Sequence, residues 1–242
     1  YTKLYGGKCP TIIDTEGNKP LSILDVGAGL GINTECIANI VFTHRKIRNS
    51  IDIIEPSQHA REIACRLMVS EDKGGILRSV FPNLSDINTR KYDVVMFLHS
   101  TYYINDFYNW LQKIFRNNLR KGGKVLVLAI PSDSPFFLDP KLALLHTSSQ
   151  IKYYLSQQGF EFTPYSLTSK FYINTHFTFS EIEIDHLYHF MTSSKSNMIS
   201  REEFCERLKS KASSGVIDFQ DELIVIGKAT LCVNNSWTLS PI

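Results

Sequence analysis

The chain has 242 residues, enough for one α/β domain with a substantial core and room for an insertion. Its 26 Lys and Arg stand against 24 Asp and Glu, and a net charge of +2 excludes a global attraction to nucleic acid or acidic membrane. Five cysteines (Cys9, Cys36, Cys65, Cys205, Cys232), odd in number and without a C-x-x-C pair, argue against a disulfide framework and a zinc site and predict a reducing, cytoplasmic location. No apolar run reaches the roughly 20 residues of a membrane span. The start at Tyr1 carries no basic-then-apolar leader, and the lack of an initiator methionine predicts that residues precede it.

Residues 1–20 hold Gly6, Gly7, Pro10, Gly17 and Pro20 without periodicity, and read as a lead-in segment. Leu21 to Val26 is a short apolar run suited to a strand buried on both faces. A glycine loop follows, and then a helix with cap chemistry at Asn33 and Thr34 and apolar spacing at Ile37, Ile40 and Val41. Ile51 to Ile54 is a second strand, ended by Glu55-Pro56-Ser57 and followed by a helix through Ala60, Ile63, Ala64 and Leu67. Ile76 to Phe81 and Tyr92 to Leu98 are the third and fourth strands. The fourth runs into His99-Ser100-Thr101-Tyr102-Tyr103.

Phe107, Trp110, Leu111, Ile114 and Phe115 lie at helical spacing between Asp106 and Leu119, with Lys121-Gly122-Gly123 as the break before a fifth strand at 124–130. Later segments read as a loop over 132–140, a helix over 141–158 ended by Gly159, and a long strand or bent strand pair over 160–179. Helices over 181–191 and 201–211 follow, the second opened by a Ser200-x-x-Glu203 capping box, and a last strand spans 221–229. The alternation predicts a Rossmann-like α/β sheet of seven strands with helices on both faces and ligand at the carboxyl ends of the first strands. The division is a core over 21–131, a substrate-side cap over 132–220, a final strand over 221–230 and a tail over 231–242.

Gly27, Gly29 and Gly31 free three alternating positions of Cβ, so that backbone can approach a ligand. A dinucleotide loop needs G-x-G-x-x-G, and here Ile32 stands where its third glycine belongs. No Lys-Ser or Lys-Thr follows, which excludes a P-loop. Leu-Asp-Val-Gly-x-Gly-x-Gly followed by Ile-Ile-Glu-Pro-Ser instead resembles the S-adenosylmethionine site of class I methyltransferases. The resemblance implies that Asp25, Gly27, Ala28, Gly29, Gly31, Glu55, Pro56 and Leu98 bind the cofactor, with Glu55 on the ribose and S-adenosylhomocysteine as product.

Ile54-Glu55-Pro56-Ser57, Tyr102-Tyr103-Ile104 and Leu223-Ile224-Val225-Ile226, with shorter matches over most of 21–230, are similar to histamine N-methyltransferase and its relatives. That likeness implies a small-molecule acceptor, an amine or imidazole compound, held by His99, Tyr102, Tyr103 and Phe136, with His99 the candidate catalytic residue. The departures are specific. His99 replaces a Gln of that family, no acid on an N-terminal helix is evident, and Asp218, Phe219 and Gln220 fill the region of a substrate-binding Asn before the last strand.

Methyl transfer from a sulfonium needs alignment more than a nucleophilic side chain. His99, with a reference pKa near 6.5, could accept a proton or be a strand-end residue held by backbone. Tyr102 and Tyr103 could wall a cationic substrate or serve as core. His186-x-x-His189 lacks an evident third ligand, so no metal is expected, and His44-Arg45-Lys46 reads as a dipole-complementing helix end. Leu98-His99-Ser100-Thr101 differs from the Asn/Asp-Pro-Pro-aromatic signature of adenine methyltransferases, and neither a nucleic-acid nor a membrane partner is expected of this monomer. A protein- or O-directed methyltransferase and a catalytically inactive cofactor-binding protein are the alternatives.

Overall fold

The computed structural model describes residues 19–68, 74–132, 146–172, 188, 200–211 and 216–227. Its strands are β1 (Ser22–Val26), β2 (Asn49–Ile54), β3 (Gly75–Phe81), β4 (Tyr92–Leu98), β5 (Leu119–Ala129), β6 (Phe162–Tyr172) and β7 (Val216–Ile226). They form one seven-stranded sheet in the order β3-β2-β1-β4-β5-β7-β6. The first five run parallel, and β7 is antiparallel to both neighbours.

The continuous apolar runs follow from burial on both faces. Alternate residues of each central strand enter different cores. Leu24, Val95, Phe97, Val125 and Val127 pack with Phe107 and Leu111 of α3 (Phe107–Lys113) and with Ile151 and Leu155 of α4 (Ser148–Gln157). Ile23, Val94, Met96, Leu126 and Leu128 pack on the other face. Their partners are Ile37 and Val41 of α1 (Ile32–Arg45) and Ala64 and Met68 of α2 (Gln58–Met68). A fifth helix, α5 (Arg201–Lys211), buries Phe204.

Several boundaries differ from the sequence expectation for local reasons. Thr34 does not cap α1; Gly31 occupies the N-cap in a left-handed conformation and the Thr34 hydroxyl turns to Asp25. The helix expected to Leu119 ends as a π-helical turn at Ile114–Asn118. The Lys121-Gly122-Gly123 break falls inside β5, where the register with β4 shifts between the pairs Tyr92↔Leu119 and Val94↔Lys124. In α4, Thr147 and Gln150 form a reciprocal capping box that the sequence reading did not use, and Phe160 N–H closes the chain back onto Leu155.

The stretch expected as a cap, 132–220, contributes β6 to the sheet itself, and β7 begins at Val216 instead of 221. The extra length forms a distinct feature. β5 last pairs with β7 at Ala129↔Glu222, whereas β6 and β7 continue through Leu167↔Asp221 to Tyr172↔Val216. Those pairs make a two-stranded wing beyond the carboxyl end of β5. The helix expected over 181–191 and the metal-like pair His186 and His189 lie outside the described residues, apart from Tyr188, whose ring meets Phe204 edge-on.

Candidate active site

The loop after β1 is tied to its neighbours before it meets any ligand. Gly27 and Ala28 N–H groups both donate to the Ile54 carbonyl at the end of β2 (2.8 and 3.1 Å), and Glu55 N–H donates to the Phe81 carbonyl at the end of β3 (3.0 Å). Gly27 has φ 76°, and a Cβ there would lie 2.4 Å from Ser100 Cβ. Ser100 is itself fixed, since its buried hydroxyl donates to the Val26 carbonyl (2.5 Å). This position therefore needs glycine for packing against the turn after β4. Gly31 makes a comparable approach to α2, where an added Cβ would stand 3.0 Å from Ala64 Cβ.

Gly29 differs from both. Its φ is 56°, and an added Cβ would meet nothing within 4 Å, so its face of the loop is open. Its N–H donates to Glu55 Oε2 (2.9 Å), while Ser57 N–H donates to Glu55 Oε1 (2.9 Å). Glu55 thus bridges the β1 and β2 loops with lone pairs to spare. Asp25 lies beneath the loop, 1% exposed, with Oδ2 accepting from the Thr34 hydroxyl (2.5 Å) and Oδ1 without a hydrogen-bond partner. Burial pushes its carboxyl up to about 7; the Thr34 hydrogen bond opposes that rise and the nearby Glu55 charge adds to it.

An open glycine face, an acid above it and an orphaned carboxylate oxygen below it fit a ligand that has both hydroxyls and a cationic end. Pro56 is exposed at the rim, its carbonyl accepting from Arg61 (2.7 Å), and Leu98 is buried in the core at the end of β4.

Beyond Leu98, the chain turns through His99, a non-glycine residue at φ 55°. His99 N–H donates to the Leu128 carbonyl (2.9 Å), which holds the turn against β5. The imidazole keeps 30% of its surface exposed, and its Nε2 lies 3.8 Å from Oδ2 of Asp221, at the base of the wing. Burial lowers the pKa of His99 below the usual range, against the opposing pull of the Asp221 carboxylate.

The two tyrosines divide their roles. Tyr102 Oη accepts from Ile130 N–H (2.5 Å), locking the turn onto the end of β5, and burial raises its phenol pKa. Tyr103 meets Tyr102 edge-on (6.3 Å between ring centres) and is 56% exposed. Phe136 lies outside the described residues. Sequence reasoning missed Ser100 and Asp221. A small residue two places after Leu98 was the available signal for the first. Asp221 is one position past 218–220, the residues that fill the region of the family's substrate-binding Asn.

A sheet of this order with β7 reversed, carrying a glycine loop and an acid pair at its carboxyl edge, defines a class I methyltransferase that uses S-adenosylmethionine. A family model of the methyltransferase domain matches residues 8–209, and the chain belongs to that family. Histamine N-methyltransferase of Danio rerio is 24% identical over 223 residues, an alignment that spans 84% of this chain and 74% of that protein. Among solved structures, the YcgJ protein of Bacillus subtilis superposes with a TM-score of 0.57 at 12% identity, covering 90% of this chain and 96% of that one. Geranyl diphosphate methyltransferase in complex with SAM superposes at 0.51 with 15% identity, covering 92% and 84%. At such identities these structures speak for the fold. Among the described residues no helix is long and apolar enough to cross a membrane.

Proposed function

We propose that this enzyme methylates a nitrogen of a small amine or imidazole compound in the cytoplasm. The observation that carries the reading is the group of His99 and Tyr103 on the turn after β4, one step from the glycine loop through Ser100. An exposed aromatic face beside a half-buried imidazole suits a compact acceptor that is cationic or weakly basic. The likeness to histamine N-methyltransferase supports the same acceptor class. Cys36, Cys65 and Cys205 are free thiols, which accords with a reducing compartment.

Within this reading, Gly29, Glu55 and Asp25 would hold the cofactor, and Gly27, Ala28 and Gly31 set the loop that presents them. The cofactor supplies a methyl group on a sulfonium, already activated for displacement. The protein aligns the acceptor with that methyl group and keeps competing water out. Tyr102 holds the turn in place from behind, and Tyr103 is the side chain available to meet an acceptor.

The test is methyl transfer from radiolabelled S-adenosylmethionine to a panel of histamine, other imidazoles, and primary, secondary and tertiary amines. Labelled product from one or more is the expected result. Silence across the panel with transfer to protein or to hydroxyl acceptors would reject the small-amine reading in favour of a protein- or O-directed enzyme.

A further inference from the structure

We propose that Asp221 is a positioning residue for His99, and that the pair receives the proton an acceptor sheds during methyl transfer. The inference rests on the reading of His99 as part of the acceptor site.

Three features converge on this pair. First, His99 holds a positive φ of 55°, an uncommon conformation for a residue with a side chain and one in which Asn, Asp and His are enriched. The turn is over-determined there by His99 N–H on Leu128, the Ser100 hydroxyl on Val26 and Tyr102 on Ile130. Second, Asp221 lies beyond the last pair of β5 with β7, where the sheet edge leaves its side chain beside His99. Neighbouring Glu222 is committed to Lys152 (2.7 Å), and strand alternation puts it on the opposite face of β7 from Asp221. Third, the Nε2 to Oδ2 separation of 3.8 Å is too long for a direct hydrogen bond, yet within reach of one after a small ring movement or through a water.

The orientation fixes the tautomer. A carboxylate facing Nε2 favours the proton on Nε2, which leaves the lone pair on Nδ1. In the transfer step the acceptor's lone pair forms a bond to the methyl carbon, and the carbon–sulfur bond breaks with its electron pair left on sulfur. The proton shed by the acceptor passes to His99 Nδ1. One positive charge therefore moves from sulfur to the imidazolium, where the Asp221 carboxylate stabilises it.

Burial keeps His99 neutral before the step, as a proton acceptor must be. The turn also carries the phenols of Tyr102 and Tyr103, and burial raises the pKa of Tyr102, which keeps it uncharged through neutral pH. Acceptors that lose a proton on methylation gain from this arrangement, and acceptors with no proton to lose gain nothing.

Two measurements separate this proposal from the acceptor reading beneath it. In the first, 15N-histidine-labelled protein is titrated by NMR as wild type, Asp221→Asn and His99→Asn, the last identifying the resonance while tolerating the left-handed backbone. The expected result is an Nε2–H tautomer in wild type and a His99 pKa lower by half a unit or more, on the order of an opposite charge removed at this distance, in Asp221→Asn. A His99 pKa and tautomer unchanged by Asp221→Asn would overturn the proposal whatever the enzyme methylates.

In the second, Asp221→Asn is assayed with histamine and with N-methylimidazole, which has no ring N–H to shed. A fall in kcat of about 10–100-fold for a proton-shedding acceptor, with KM little changed and the acidic limb of the pH profile displaced, supports the pair. Asp221→Glu should recover part of the loss. An unchanged kcat and pH profile for an acceptor that wild type methylates overturns the proton-accepting role. If wild type methylates no member of the panel, the small-acceptor reading fails, and the NMR titration still decides whether Asp221 governs His99.

Discussion

Asp25 occupies a place that opposes its own charge. With a folded-state pKa of about 7 and an unfolded value near 4, the folded chain holds its proton between those limits. Stability of the ligand-free protein therefore falls as pH rises from about 4 to 7. A cation bound against the orphaned oxygen reverses the preference, because ionised Asp25 is then the paired form. Affinity for S-adenosylmethionine, measured by calorimetry, should rise about tenfold between pH 6 and 8. Asp25→Asn should flatten that dependence and raise the melting temperature of the ligand-free protein at pH 8; a slope that survives the substitution would exclude Asp25 from the cofactor site.

Two glycines of one loop should answer the same substitution differently. Gly27→Ala puts a Cβ against Ser100 at a positive φ, and overpacking plus backbone strain cost about 2–4 kcal/mol in urea denaturation. Gly29→Ala meets open space, so strain of about 1–2 kcal/mol is the whole stability cost. Its larger effect should be on cofactor affinity, since the methyl group would stand on the face left open for the ligand. Equal losses of affinity at equal stability for the two variants would contradict this division.

At the scale of elements, the site is a product of how α2 and the loops after β2 and β4 meet the glycine loop. Ala64 of α2 lies where Gly31 lacks a side chain, so the entry of α1 is set by a contact between two helices. Ala64→Leu would overpack this contact at about 1–3 kcal/mol and tilt the start of α1. Thermal melting and S-adenosylhomocysteine binding should fall together, and restoration of binding at low temperature without recovery of stability would contradict the coupling.

This is also the scale at which the sequence was most legible. The apolar runs at 21–26, 51–54 and 92–98 read as strands because burial on both faces leaves little polar alternation to confuse them, whereas the partly exposed edge run at 76–81 reads by its bounds, Gly74-Gly75 and Pro82. The end of the 106–119 helix and the bounds of β7 were less legible, because they depend on partners far away in the chain. Residues 114–118 follow the helical pattern, and only pairing of Leu119 with Tyr92 starts the next strand there.

Across the whole molecule, the charged network that supports the sheet joins β2, β3 and β4 short of the glycine loop. Asp52, fully buried in β2, accepts hydrogen bonds from Arg78 (3.0 Å to Oδ1), Arg90 (3.1 Å) and the Tyr92 hydroxyl (2.9 Å). Burial alone would raise its pKa, and these donors outweigh burial and lower it. A depressed folded pKa stabilises the protein above the unfolded value near 4, and that contribution is lost as pH falls through the folded value. Asp52→Ala should cost about 3–5 kcal/mol, since two arginines and a phenol lose a common acceptor. Equilibrium urea denaturation gives the loss, and cofactor affinity of the remaining folded protein should stay within about twofold of wild type.

The sequence alone determined the class of ligand. Glycine spacing at 27, 29 and 31 and an acid at Glu55 are local patterns, and local patterns survive without knowledge of the fold. It also determined the alternation that builds the sheet, because side-chain periodicity is a property of consecutive residues. The tertiary structure decided which glycines are needed for packing and which stands on an open face, since Ser100 and Ala64 are far from the loop in sequence. It reversed β7, extended the wing and brought Asp221 to His99. The two residues are far apart in the chain, and no spacing rule links groups that meet only because β4 and β7 flank β5 in the sheet.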